Sequence, residues 1–278
     1  MPLNVEKAGY MAKIEVCNIK KEFHSSRTKE VVLALNDICL EANEGEFAAL
    51  VGPSGCGKST LLKIIAGLES KDNGYVLLDG QEIFGPSWKR GMLFQDFALP
   101  PWKTVKENIE LGPKFRCISK KERGELSNHL IQLVGLKGFE NRYPHELSGG
   151  MRQRCALART LANDPEILLL DEPFASVDAQ TRELLQEELL KIWGEELPKN
   201  RRKLVILVTH SIDEAVFLSD VMFVMTARPG AIKEVFRNPL ERPRDMRVKS
   251  TKPFLEAKDF LWGCIKDEVL KAIKQGFQ

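Results

Sequence analysis

The stretch that most limits what this chain can become is Gly52-Pro53-Ser54-Gly55-Cys56-Gly57-Lys58-Ser59-Thr60, set between the apolar run Phe47 to Val51 and the helical pattern Leu61 to Leu68. Glycines let backbone N–H groups converge on one spot without a Cβ in the way, and the helix start adds about half a positive charge. An anion is the natural occupant. Lys58 is placed to reach the β- and γ-phosphates of a nucleotide, and Ser59 offers a hydroxyl to Mg²⁺, which takes a few hard oxygens beside phosphate oxygens and water. Strand, loop and helix are those of a P-loop.

A second run, Ile167-Leu168-Leu169-Leu170-Asp171-Glu172-Pro173, ends an apolar strand in two carboxylates, where a doubly wound sheet places its ligands. Asp171 fits the Mg²⁺ shell. Glu172 fits the general base that orients attacking water, a role worth about 10²–10⁴-fold in rate. Alone, such a pair equally caps a turn; beside a P-loop the catalytic reading is the stronger. A third element, Leu147-Ser148-Gly149-Gly150-Met151, starts a helix running to Ala162. Ser148 is its N-cap, and the two glycines expose its first N–H groups, making another anion-binding terminus. One P-loop has no need of a second phosphate site in its own chain. The physical resolution is that Ser148, Gly149 and Gly150 of one copy close over the nucleotide held by another.

Around these motifs the chain is organised in three stretches. The first third is strand-rich, with β-branched runs at Lys13 to Ile19, Val31 to Leu40, Phe47 to Val51, Tyr75 to Leu78 and Gly91 to Phe94. From Val105 to Asn163 helical spacing takes over, and then strands at Ile167 to Leu170, Leu204 to Val208 and Val221 to Met225 alternate with helices, as in a parallel sheet with crossovers. Asn238 to Lys249 reads as a linker. An amphipathic helix follows from about Pro253, with Leu261, Ile265, Val269 and Ile273 on one face.

Ser148-Gly149-Gly150, a short way before Asp171-Glu172, resembles the signature of ATP-binding cassette proteins, and the resemblance extends from Ile14 over nearly the whole chain. It implies an α/β P-loop NTPase core with an N-terminal antiparallel β subdomain and an inserted α-helical subdomain at about 97–163. The cassette would span 12–236, and a linker with a C-terminal helix would fill 237–278. It also implies further site residues. Gln95 resembles the glutamine that senses Mg²⁺ and the attacking water and joins core to helical subdomain. His210 resembles the switch histidine on the γ-phosphate, ahead of a Ser211 to Glu214 capping box. Asp178 fits either the cross-dimer aspartate, although Ala175-Ser176-Val177-Asp178 departs from the commoner pattern, or an ordinary N-cap for Ala179 to Trp193. Phe23 fits either an adenine-stacking aromatic or core packing. ATP and Mg²⁺ are the implied cofactors.

Phe94-Gln95-Asp96 with Leu99-Pro100-Pro101-Trp102, the run Met151-Arg152-Gln153-Arg154, and Arg228-Pro229-Gly230 are similar to the importer branch that serves nitrate, aliphatic sulfonate and taurine uptake. That branch implies a homodimer with ATP between protomers, docked through two permease subunits on the cytoplasmic face of the membrane and served indirectly by an extracytoplasmic solute-binding protein. The alternative is a cassette ATPase of assembly, translation or DNA maintenance; the tandem cassettes and long coiled coil usual there are missing. Composition limits partners as well. Forty-one basic residues are mixed with 39 acidic ones for a formal charge of +2, which argues against nucleic acid. No apolar run approaches the roughly 18 residues of a membrane span, and Met1 to Lys13 lacks the pattern of a secretory signal. The six cysteines have no metal-ligand spacing and read as reduced, small apolar residues.

Overall fold

Four runs, Phe47–Val51 (β3), Ile167–Asp171 (β7), Leu204–Thr209 (β8) and Val221–Met225 (β9), are buried along their whole length. Continuous apolar strands of this kind suit a parallel sheet covered on both faces. In the computed structural model, which describes residues 12–24, 30–175, 177–194 and 202–276, they form the centre of a six-stranded sheet. Its order is β10-β9-β3-β8-β7-β6, with Arg90–Leu93 as β6 and Ile232–Arg237 as β10. All neighbours pair parallel except β10 on β9. Ser176, the segment before Ala12, and all of the Glu195 to Arg202 loop but its last residue lie outside the described residues.

Alternation along these strands divides the interior in two. Phe47, Ala49, Val51, Leu168, Leu170, Val205 and Leu207 face a core shared with Ala179–Trp193 (α6), Ile212–Leu218 (α7) and Lys252–Lys274 (α8). Ala48, Leu50, Leu169, Ile206 and Val208 face the opposite core, shared with Lys58–Ala66 (α1) and the inner side of a second sheet. That sheet is antiparallel, ordered β2-β1-β4-β5 from Val31–Asn43, Ala12–His24, Asn73–Leu78 and Gln81–Glu82. A third core joins Val105–Ile109 (α2), Lys120–Leu133 (α4) and Gly149–Leu161 (α5), with the short Leu111–Phe115 (α3) between α2 and α4. The chain therefore has the expected α/β core, antiparallel β layer and helical insertion.

One strand is added and three expectations change. Strand β10 carries Lys233, Glu234 and Arg237 and is largely exposed, an edge strand without the apolar signature of a buried one. The Asn238 to Lys249 stretch, read as a linker, is packed down. Asn238 Nδ2 donates to the carbonyls of Val216 and Ser219 at 2.7 and 2.8 Å, and the buried Arg244 guanidinium spans those of Phe217, Ser219 and Leu240. On α8 the buried series is Phe254, Ala257, Leu261, Ile265, Glu268 and Ala272, while Ile273 is 52% exposed. A strict four-residue step gains about 40° per interval on a helix of 3.6 residues per turn and leaves the face; the mixed three- and four-residue series stays on it. Of the cysteines, all free, Cys56 and Cys155 are buried but Cys39 and Cys117 lie at the surface.

Glu268 is the one buried carboxylate on α8. Its oxygens accept from Ala227 N–H at 2.9 Å, Lys233 Nζ at 3.0 Å and Lys271 Nζ at 2.9 Å. Burial alone would raise its pKa, but the Lys271, Ala227 and Lys233 contacts outweigh it and hold the group down to about 2. A depressed carboxyl stabilises the fold above its unfolded value near 4.5 and stops doing so as pH falls toward 2. Glu268→Gln is expected to lower unfolding free energy by on the order of 3 kcal/mol at pH 7, with the gap to wild type closing below about pH 4.5 in denaturant titrations. A gap constant from pH 7 to 3 would contradict the charge argument.

Candidate nucleotide site

Strand order assembles the site. β8 lies between β3 and β7, with Val51 opposite Thr209 and Asp171 opposite Val208. The loops leaving these three strand ends therefore carry Lys58, His210, Asp171 and Glu172 to one edge of the sheet, the edge where parallel sheets bind ligands. Gly57, at φ 102°, is the N-cap of α1 and contributes no side-chain hydrogen bond. The first amides of α1 thus remain open to an anion. A Cβ at Gly57 would also collide with Leu35 of β2.

A cleft of about 450 Å³ runs over this loop, lined by Ser54, Gly55, Gly57, Lys58, Ser59 and Thr60, with Glu172, Phe23, Val32, Ala34 and Arg228 completing its walls. Gly52 and Pro53 instead line an adjoining cavity with His210. Cys56 turns inward, and burial pushes its thiol pKa up. Lys58 is buried and donates to the carbonyls of Gly52 and Pro53, both at 2.8 Å. Its charge is held within the loop.

The Ser59 hydroxyl donates to Asp171 Oδ1 at 2.7 Å. Burial raises the Asp171 carboxyl, the Ser59 hydrogen bond opposes that rise, and neighbouring Glu172 adds to it. Two hard oxygens side by side with an undercompensated carboxylate suit a divalent cation that also binds phosphate. The residues fit Mg²⁺.

Glu172 sits at φ 45°, a left-handed conformation rare for a non-glycine residue, and its N–H donates to Val208 O at 3.0 Å. Its Oε2 lies 3.3 Å from His210 Nδ1. The turn bearing His210 is set by Thr209, whose Oγ1 accepts from Ser211 N–H at 3.0 Å and donates to buried Glu214 at 2.6 Å. The expected reciprocal capping box is consequently only half made: Ser211 accepts from Glu214 N–H, but the Glu214 carboxylate is engaged by Thr209. Burial raises the Glu214 carboxyl despite that bond.

Of the other named residues, only Phe23 lines the cleft. Ser148 is exposed and caps α5, accepting from Met151 N–H at 3.3 Å, with Gly149 and Gly150 as the first helical residues. Asp178 is an N-cap in fact, accepting from Thr181 N–H at 3.0 Å, and this contact lowers its pKa. Phe23 is 41% exposed on the cleft wall, with the Lys21 ammonium 5.1 Å from its ring centre. It is not a core residue. Gln95 lies exposed in the turn after β6 and is not among the cleft-lining residues.

Two arginines went unassigned in the sequence. In the sequence Arg228 belongs only to the branch-like run Arg228-Pro229-Gly230; in the fold it forms a cleft wall. Arg159 of α5 donates to Ala98 O at 2.6 Å and Phe97 O at 2.8 Å. Phe97 and Ala98 both have positive φ, 61° and 44°, so this guanidinium holds the strained turn that follows Gln95. Neither role leaves a local mark, because the partners are backbone carbonyls.

Cleft and strand order together define an ATPase of the cassette type. A family profile described as ABC transporter matches residues 35–175. An ABC transporter ATP-binding protein of Methanocaldococcus jannaschii is 53% identical over 264 residues, 94% of each chain. The aliphatic sulfonates import ATP-binding protein of Bacillus cereus is 42% identical over 265 residues, 95% of this chain and 96% of that one. Among solved structures, a dimeric ATP-binding cassette in a post-hydrolysis state with ADP and Pi superposes with a TM-score of 0.70 at 32% identity, covering 81% of this chain and 98% of that one. The chain belongs to the ABC transporter family.

Arg159→Ala frees the Phe97 and Ala98 carbonyls and the turn they strain. ATP turnover is expected to fall about tenfold, in line with the loss of a charge-assisted hydrogen bond, while nucleotide affinity, measured by titration calorimetry, holds within about twofold. A parallel loss of affinity would mean that the turn serves binding instead.

Proposed function

We propose that this chain is the ATP-hydrolysing subunit of an importer for a small solute of the nitrate, sulfonate and taurine class, working as a homodimer on two permease subunits at the cytoplasmic face of the membrane. The observation that carries the paired reading is the separation of two anion-binding helix starts. The cleft over α1 is lined without Ser148, Gly149 or Gly150, and the capped start of α5 is exposed elsewhere on the surface. Each chain offers two half-sites, and head-to-tail pairing places Ser148 to Gly150 of one protomer over the nucleotide of the other. The dimeric cassette with ADP and Pi supports pairing.

In the closed pair Lys58 and the α1 amides hold the phosphates, and Phe23 stacks on adenine. Glu172 orients the attacking water and takes up its proton; His210, 3.3 Å away, steadies that carboxylate and faces the γ-phosphate. Ser59 and Asp171 would hold Mg²⁺, with Gln95 swung in from its exposed turn in the closed pair, and the ion neutralises charge on the phosphate oxygens when bound. Asp178, besides capping α6, meets the partner across the interface. ATP favours the closed pair by binding it more tightly than the open one, and hydrolysis removes that preference.

Import rests on the named sulfonate relative and on a surface suited to a permease. Beside the Gln95 turn lies a groove of about 350 Å³ lined by Trp88, Phe94, Leu111 and Phe115; Phe115 is 82% exposed, and Trp102, in the segment that follows the turn, is 73% exposed. Exposed aromatics rimming a groove suit a partner helix. No described helix is long and apolar enough to cross a membrane; this reading gives the translocation path to the two permease subunits, through which the solute-binding protein acts. The sulfonate import relative does not favour a role in assembly, translation or DNA maintenance.

Glu172→Gln is expected to bind ATP, lose turnover by at least about 10²-fold and run as a dimer on gel filtration with ATP. A strictly monomeric variant at millimolar ATP would count against pairing. In the reconstituted transporter, Trp102→Ala should reduce solute uptake more than basal ATP hydrolysis; equal loss of both would remove the docking role.

A further inference from the structure

The loop after β9, Thr226 to Gly230, is wedged between the nucleotide cleft and α8. On the cleft side the Arg228 guanidinium donates to Gly55 O through Nε at 3.3 Å and Nη2 at 3.2 Å, while its side chain forms part of the cleft wall with Phe23, Lys58 and Ser59. Gly55 has φ 73°, a conformation that turns the loop amides toward a central anion. A fork donating to its carbonyl from outside stabilises that turn. Gly230 presses against the same loop so closely that a Cβ there would collide with the Cys56 carbonyl. It is also tied to β2, donating to Ala34 O and accepting from Asn36 N–H, each at 2.9 Å.

On the opposite side α8 grips the same residues. Glu268 accepts from Ala227 N–H at 2.9 Å, and Gln275 Nε2 donates to the carbonyl of Arg228 at 3.2 Å. Glu268 is in turn buried between the Lys233 and Lys271 ammonium groups, so the anchor is fixed from three directions. Helix α8 also forms one wall, with Trp262, Ile265 and Val269, of a cavity of about 260 Å³ whose other wall includes Gly52, Pro53 and His210. The C-terminal helix thus reaches the P-loop through a single hydrogen-bonded chain: Glu268 and Gln275 to the 227–228 backbone, and the Arg228 side chain to Gly55.

We propose that Arg228 is a positioning residue for the nucleotide, shaping the P-loop from outside, and that α8 sets ATP affinity by holding Arg228 in place. This rests on the cleft being the ATP site. It adds a task for the last helix, which none of the site motifs includes. Arg228 acts on binding through the loop, so its removal raises KM for ATP more than it lowers kcat. Because α8 acts through Arg228, helix and arginine share one effect instead of adding two.

The test uses the full-length chain and steady-state ATP hydrolysis, with thermal unfolding of every variant alongside. Arg228→Ala is expected to raise KM for ATP about tenfold and Arg228→Lys about threefold, since an ammonium replaces the charge but not the two-pronged contact. Gln275→Ala, at a surface position where folding is not at stake, should raise KM about twofold to threefold, and Glu268→Ala more if it folds. The double variant Arg228→Ala with Gln275→Ala should match Arg228→Ala alone. A double variant whose effects multiply, or an Arg228→Ala with wild-type KM, would overturn the tether while leaving the wild-type ATPase intact. A wild-type chain that hydrolyses no ATP would overturn the nucleotide reading and this inference together.

Discussion

The site depends on β8 being hydrogen-bonded in register between β3 and β7. Each of the three strands is short, apolar and buried on both faces, so each has one favourable place in the sheet, and their ends are brought level by the backbone ladder. A slip of one residue would exchange the faces of a whole strand and carry Asp171 away from Ser59. The 2.7 Å hydrogen bond between those side chains is therefore a product of sheet packing as much as of local chemistry. Loops extend from this platform, and the loops carry the reactive groups.

Where those loops are strained, something specific holds them. Glu172, Phe97 and Ala98 all occupy left-handed conformations that cost non-glycine residues on the order of 1–3 kcal/mol each. The Glu172 amide is tied to Val208 of the neighbouring strand, and the carbonyls of Phe97 and Ala98 are tied to Arg159. Such restraint keeps a carboxylate and the turn after Gln95 at fixed distances from the sheet edge. A helix from one layer, α5, thereby fixes a turn belonging to another.

The sequence was most legible where a motif is local. The β3 and β9 runs, the Ser148 and Asp178 caps and the turn into α1 could all be read from a few adjacent residues, since periodicity and capping act within one or two turns. Long-range partners left no such mark. Arg159 and Arg228 differ from surface arginines only in the carbonyls they reach, and those come from distant loops. Strand β10 is hidden in the sequence because an edge strand carries charge outward, and the packed 238–249 stretch is hidden because its stability comes from side chains donating to the end of α7. Ser148, Gly149 and Gly150 were legible as a helix start, but their absence from the cleft walls was a matter of tertiary placement.

Helix α5 belongs to two interiors at once. Cys155, Ala158 and Ala162 pack with the helical insertion, whereas Ala156 and Leu157 pack with the parallel sheet, and Leu161 touches both. Neighbouring positions along this one helix consequently answer to different sets of partners. A homologous segment transplanted whole would therefore have to suit both interiors at once, so a change that fits one core can still fail at the other.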